Sequence, residues 1–281
     1  MLDFVYIVKE SDKNDDLRYS LRSIAKFYPD HRVWIVGYKP KWVQNVGYIP
    51  VKQTGNKWGN SVKNIIAACE SKEISEDFIL MNDDFFIIKE KYPLETVCNM
   101  NSGTLDKAIK AYDNIKYNSW CKAFSSVKEL LQKIGAKEPY YNYEPHLPLL
   151  INKKKYLALM KLPDVQAFIK SGKVLHKRTL YKNMYKPDII PPSIGYDVKI
   201  DKQKDDIVRR LEVCGWVSVY DNQIGNPRSP KLNFVLHNNF PKPCKYEASS
   251  TNPANIGSTI TTAPTYRKPS PIKRSKSFIH Y

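Results

Sequence analysis

The strongest constraint on this chain is an alternation in its first ninety residues, where short apolar runs take turns with stretches of helical periodicity. Phe4-Val5-Tyr6-Ile7-Val8 is apolar and of strand length. Leu17, Leu21, Ile24 and Phe27 then recur three or four residues apart, which lays one apolar stripe along a helix. Asp15-Asp16 favour the start of that helix and Pro29-Asp30 its end. Arg32–Gly37 reads as a second strand, Ser61–Glu70 as a second helix and Phe78-Ile79-Leu80-Met81 as a third strand. Strands joined through helices of this length predict an α/β fold with a mostly parallel sheet flanked by helices. Neither GxGxxG nor GxxxxGK[ST] occurs, so the dinucleotide fingerprint and the P-loop do not apply.

From residue 92 to about 190 the chain is more helical and more basic, with Lys153-Lys154-Lys155 and the stretch from Lys170 to Lys186 carrying much of the excess. Beyond Glu247, Ser, Thr, Pro and Asn dominate and the basic residues face no acids, which is the composition of a disordered tail. The expectation is one domain over 1–247 and a disordered basic tail over 248–281. The net charge of +17 admits two explanations. One is a polyanionic partner such as DNA; the other is a lysine-rich composition that places Lys wherever a solvated charge is tolerated. The longest apolar runs fall short of the roughly 18 residues a membrane span needs. The opening residues lack a secretory signal pattern, and Cys69, Cys98, Cys121, Cys214 and Cys244 form no CxxC pair. A cytoplasmic setting is the expectation.

The sharpest chemical signal is Phe78-Ile79-Leu80-Met81-Asn82-Asp83-Asp84-Phe85-Phe86, an apolar strand that runs into two adjacent carboxylates and back into apolar sequence. Acids at the carboxyl end of a parallel strand stand in the crevice where open α/β sheets bind ligands. Two like charges set in apolar surroundings are costly unless a cation or hydrogen bonds compensate them. A hard cation, Mn²⁺ or Mg²⁺, takes few protein carboxylates and fills its shell with phosphate oxygens and water. The plain alternative is an ordinary Asn-Asp-Asp turn after a strand.

Several segments carry a resemblance. Asp3-Phe4-Val5-Tyr6, the run Asp16-Leu17-Arg18-Tyr19-Ser20-Leu21-Arg22-Ser23-Ile24, and Arg32–Val43 resemble the opening of a glycosyltransferase group often encoded by bacteriophages. That group is similar to the Stealth family of sugar-phosphate transferases. Asn82-Asp83-Asp84-Phe85-Phe86, Tyr143–Pro148, Leu180-Tyr181-Lys182-Asn183 and Asn239–Glu247 resemble further family blocks, with Lys182 where Gly is expected. The matches run in order over residues 3 to 247.

The resemblance implies a GT-A-like fold with a nucleotide-binding half over 1–91 and an acceptor half over 92–247. It implies a metal-dependent glycosyltransferase, in the host cytoplasm if phage-encoded, that takes a nucleotide-sugar donor. Asp83 and Asp84 would hold the Mn²⁺ or Mg²⁺, or stand beside it. Arg18 and Arg22, four apart on one helix face, would grip the donor phosphates; a solvated face is the alternative. Asn60 and Asn64 would face the nucleotide or sugar; the alternative is a helix cap for Asn60 and a surface position for Asn64. Glu144 and His146, two apart across a proline, are the acid–base candidates, against a structural role for the histidine. Arg178, Tyr181, Lys182 and Asn183 would meet the acceptor, be it a modified DNA base, a virion protein or a glycan. Two other functions stay open. One is Stealth-type transfer of a sugar-1-phosphate, from which Lys9-Glu10-Ser11-Asp12 departs. The other is non-catalytic nucleic-acid binding, which needs aromatics such as Tyr181 and Tyr185 exposed beside the lysines.

Overall fold

Near-continuous apolar runs belong to strands covered on both faces, and the first strands behave that way. In a computed structural model, which describes residues 1–112, 118–188, 191–192, 197–200, 214–219, 224 and 230–248, strand β1 spans Leu2–Val8 and β2 spans His31–Gly37. Between them lies helix α1, Asp15–Phe27. Strand β3 (Gly47–Pro50), helix α2 (Lys57–Glu70) and strand β4 (Asp77–Asn82) follow. Helix α2 starts four residues before the expected Ser61, because Asn56, not Asn60, accepts the Gly59 amide as its cap.

The main sheet has the order β3-β2-β1-β4-β6, with β6 at Leu149–Asn152. The first four strands are parallel, so Val8, Gly37, Pro50 and Asn82 end on one edge. The chain winds from β1 outward to β3 and then crosses to the other side of β1 for β4. The reversal leaves a crevice between the carboxyl ends of β1 and β4, where such sheets take ligands. Alternation within each strand builds two cores. Phe4, Tyr6, Val8, Ile35 and Met81 pack with Leu17, Leu21 and Ile24 of α1. Val5, Trp34, Val36 and Leu80 pack with Val62, Ile65 and Ala68 of α2.

The mixed architecture comes from β6, which pairs antiparallel with β4 so that Leu149 lies opposite Leu80 and Asn152 opposite Asp77. An antiparallel neighbour enters the sheet at the edge where its partner leaves. The segment before β6, Tyr143 to Pro148, therefore arrives beside the end of β4. Helices α3 (Leu94–Cys98), α4 (Leu105–Tyr112) and α5 (Ser119–Lys133) precede it. Helices α6 (Lys153–Met160), α7 (Pro163–Lys170) and α8 (Lys177–Met184) follow and thicken the α2 side. On the α1 side a second sheet has the order β5-β8-β7, from Phe85–Ile87, Trp216–Val219 and Asp197–Ile200, with helix α9 over Pro230–Asn239.

After α9 the chain returns to the middle of the molecule. The Gln44 amide donates to the Tyr246 carbonyl at 2.9 Å and the Ala248 amide to the Trp42 carbonyl at 2.8 Å. Glu247, its side chain 1% exposed, lies between two arginines of α1. Arg22 reaches it through Nε at 2.6 Å and Nη2 at 2.8 Å, and Arg18 through Nη1 at 2.7 Å. Burial alone would push the Glu247 carboxyl up; the hydrogen bonds from Arg22, Arg18 and the Cys244 amide outweigh it and hold its pKa below the ordinary value. The two guanidiniums expected at the donor phosphates thus secure the carboxyl-terminal segment to α1. Ala248, the first residue of the expected tail, is thus docked at Trp42, and the rest of that tail lies outside the described residues.

Candidate functional site

At the carboxyl end of β4 the chain makes a two-residue turn, Asp83-Asp84, and continues into β5. Neighbouring elements fix this turn from three directions. Asn14, the cap of α1, donates its Nδ2 to Asp83 Oδ2 at 2.9 Å. Ser20 of α1 donates to the Phe85 carbonyl at 2.5 Å, and Ser23 Oγ accepts from the Ile87 amide at 3.3 Å. The Tyr6 hydroxyl of β1 meets Ser20 Oγ at 2.9 Å, with its phenol held neutral by burial. From the third side comes the segment that enters β6, whose His146 Nδ1 stands 3.8 Å from Asp84 Oδ2. Both side chains keep a share of solvent, 28% for His146 and 16% for Asp84.

The His146 loop has its own support. Arg178 of α8 donates to the carbonyls of Tyr143, at 3.2 Å, and Leu147, which flank the loop. Its guanidinium covers one face of the Phe85 ring at 5.6 Å, and His146 lies edge-on to the same ring at 5.7 Å. Glu144, the expected partner of His146, faces elsewhere. Its Oε1 accepts the Thr179 amide at 3.1 Å in the first turn of α8 and lies 3.8 Å from Nδ1 of buried His176. A carboxylate there satisfies an orphan amide and complements the helix dipole.

Among the expected site residues, Asp83, Asp84 and His146 come together. Asn60 closes the loop before α2, donating to the Gly55 carbonyl at 2.9 Å and accepting the Gly55 amide at 3.1 Å. Asn64 is buried, not on the surface, with Nδ2 directed at the Val36 carbonyl at 3.4 Å and Oδ1 lacking a hydrogen-bond partner. It abuts Gly37, whose positive φ of 107° and close neighbours Val8 O, Asn64 and Gln53 leave no room for a Cβ.

Arg178, Tyr181, Lys182 and Asn183, expected at an acceptor surface, are all buried in α8. The Tyr181 hydroxyl accepts from the Asn152 amide at 2.9 Å, Lys182 donates to Asn99 Oδ1 at 2.6 Å, and Asn183 bridges the Tyr141 backbone. Burial pushes the Lys182 ammonium down to about 8. Of the lysine stretch on α6, Lys153 points inward, to the carbonyls of Ser71 and Ile74. The polar groups of Leu180–Asn183 thus make packing contacts, because polar side chains on a buried helix must find partners inside the protein.

The structure adds Asn14 to the site. Its sequence signal was a capping residue ahead of an acidic first turn, which says nothing of a contact 69 residues away. No group of three or more His, Cys, Asp or Glu side chains able to hold a metal ion occurs among the described residues.

The central sheet and its flanking helices make this a GT-A-like fold. The apo structure of the bifunctional glycosyltransferase WbbM matches with a TM-score of 0.52 at 9% identity, over 86% of this chain and 50% of that one. The galactosyltransferase LgtC, solved with donor and acceptor sugar analogs, matches at 0.49 and 10% identity, over 84% of this chain and 96% of its own. The glycosyltransferase GlyE of Streptococcus pneumoniae TIGR4 matches at 0.43 and 11% identity, over 89% and 65%. No protein-family model and no curated protein matches the sequence.

Proposed function

We propose that the chain is a glycosyltransferase that grips a nucleotide-sugar donor at the crevice between β1 and β4, with a divalent cation at the Asp83–Asp84 turn. The observation that carries this reading is the convergence of Asp83, Asp84 and His146 at the carboxyl edge of the sheet, on a fold shared with a glycosyltransferase. Asp84 and His146 would hold the ion, and Asp83 would stand beside it. A carboxylate with an imidazole suits a Mn²⁺-type cation better than Mg²⁺, which favours oxygen ligands. The small protein ligand set matches an ion that completes its shell with donor phosphates and water. What the cation supplies is positive charge where the diphosphate leaving group gathers negative charge.

The chain's own groups support the rest of the reading. His146, with its ring edge-on to Phe85 and its loop held by Arg178, would serve as a ligand next to Asp84 rather than as a base partnered by Glu144.

Incubation with a panel of nucleotide sugars and Mn²⁺, followed by mass spectrometry, should detect release of a nucleoside diphosphate. EDTA and the substitution Asp84→Ala should each abolish it. Full activity in the Asp84→Ala variant would sink the cation assignment. Release of a nucleoside monophosphate would redirect the reading to sugar-1-phosphate transfer.

A further inference from the structure

We infer that Asn14 is a positioning residue for the cation site, orienting the Asp83 carboxylate from the first turn of α1. The inference rests on the reading above. Asn14 is buried, and its backbone lies in the left-handed region with φ 33° and ψ 63°. That conformation is costly for most side chains and best tolerated by glycine and asparagine. Its own N–H donates to Ser11 Oγ at 3.3 Å, which ties it to the loop after β1.

The two ends of the side-chain amide do different work. Oδ1 accepts the Leu17 amide at 3.0 Å and caps α1. An aspartate would cap about as well and sit in the left-handed region too, and a glycine would also accept that backbone, so neither role explains the amide. Its Nδ2 is the feature those residues lack, and it donates to Asp83 Oδ2 at 2.9 Å. Among the preferred capping residues, only asparagine brings a side-chain N–H donor.

The kind of donor matters too. A lysine or arginine at this place would orient Asp83 equally well, but would neutralise it and repel a cation. A neutral amide fixes the carboxylate without adding a positive charge of its own. The same helix holds the other side of the turn through Ser20 and Ser23, so α1 sets both the position of the turn and the direction of its first acid. Asp83 stands beside the ion in this reading, so turning its charge away should weaken binding through space, and at close range a small displacement is enough for about tenfold.

The test is a Mn²⁺ titration of the full-length protein by calorimetry, alongside its thermal melt. Asn14→Ser keeps a cap but cannot reach Asp83; it should weaken Mn²⁺ binding by about tenfold or more while the melting temperature stays within a few degrees. Asn14→Gly, which accepts the left-handed backbone, should give the same loss and serves if the serine variant folds poorly. Ser11→Ala leaves the Asn14–Asp83 contact intact and should bind as wild type. Wild-type Mn²⁺ affinity in both Asn14 variants overturns the inference and leaves the cation reading standing. Failure of the wild-type protein to bind Mn²⁺ overturns both.

Discussion

Helix α1 serves two charged clusters that are built differently. Toward its middle, Arg18 and Arg22 close on Glu247 with guanidinium-to-carboxylate hydrogen bonds of 2.6 to 2.8 Å. At its start, Asn14 gives Asp83 a neutral amide, while Asp84 faces an imidazole at 3.8 Å. In the first cluster the protein supplies both signs of charge in bidentate geometry, and the acid is withdrawn from water. In the second, two acids sit side by side at the open edge of the sheet and keep partial contact with solvent. Buried charge with a matched partner is a fold device, whereas two adjacent acids at the carboxyl edge of the sheet would suit an external cation. Substitutions should therefore separate the clusters, one affecting activity and the other stability.

The largest effect is expected at the turn. Asp84→Asn should lower sugar transfer by at least about a hundredfold, since a preorganised charge contact is worth several kcal/mol in such reactions. Its melting temperature should stay level or rise, because the change relieves repulsion between adjacent acids. A fall in melting temperature together with full activity would break the contrast.

The second expectation is the converse. Arg22→Met leaves Glu247 buried with half its hydrogen bonds, a defect that typically costs about 3–5 kcal/mol. Denaturant unfolding should show that loss, while Mn²⁺ affinity of the folded fraction stays unchanged. An activity loss larger than the unfolded fraction explains would return Arg22 to the donor. Glu247 adds an acid-side signature: its pKa lies below the ordinary value of 4.5, so its stabilisation is present above pH 4.5 and fades as pH drops through the folded-state value.

These two clusters also mark what the sequence could and could not disclose. The apolar stripe of α1 and the strands around it followed from periodicity, because burial on one or both faces writes itself into local spacing. The Asp83–Asp84 pair was legible for the same reason, as acids abutting an apolar run. Strands β3, β5 and β6 were not, since three or four residues are too few for a pattern. The approach of His146 to Asp84 depends on β6 running antiparallel, a tertiary choice with no local signature. Arg18 and Arg22 share a helix face whether they meet a phosphate or a carboxylate, and the carboxylate comes from a residue 225 positions beyond Arg22. In α8, lysine and arginine codes suggested a surface. Instead their stems are packed and their charged ends reach Asn99 and the Tyr143 and Leu147 carbonyls.

A smaller effect sharpens the contrast from a third place. His176, 1% exposed, stacks on Phe124 with centroids 4.2 Å apart, and its Nε2 lies 2.9 Å from the Trp120 carbonyl. Burial lowers its pKa, with Glu144 opposing. Below the ordinary value of 6.5 the unfolded chain takes up a proton that the folded chain refuses until lower pH, so stability falls as pH drops under 6.5. His176→Phe should flatten that slope without removing it, because burial also lowers His31. An unchanged slope in chemical denaturation at pH 7 and pH 5.5 would show that the titration lies elsewhere. The smallest effect is expected from truncation after Ala248, whose Ser-, Thr-, Pro- and Asn-rich remainder should shift the melting temperature by no more than about one degree. A drop of several degrees would add a further structural element to the account.

The clamp on Glu247 has a consequence for how the protein is made. Arg18 leaves the ribosome 229 residues ahead of the acid that completes its cluster. At about 5–20 residues per second that interval is roughly 10–45 seconds. Throughout synthesis, the parallel strands and α1 can gather early, but two arginines on their surface have no Glu247 to close on. Only when Glu247 has itself left the ribosome does the residue that locks them arrive. A nascent chain stalled before Pro241 should therefore remain open to proteases at α1 while its first strands are already protected.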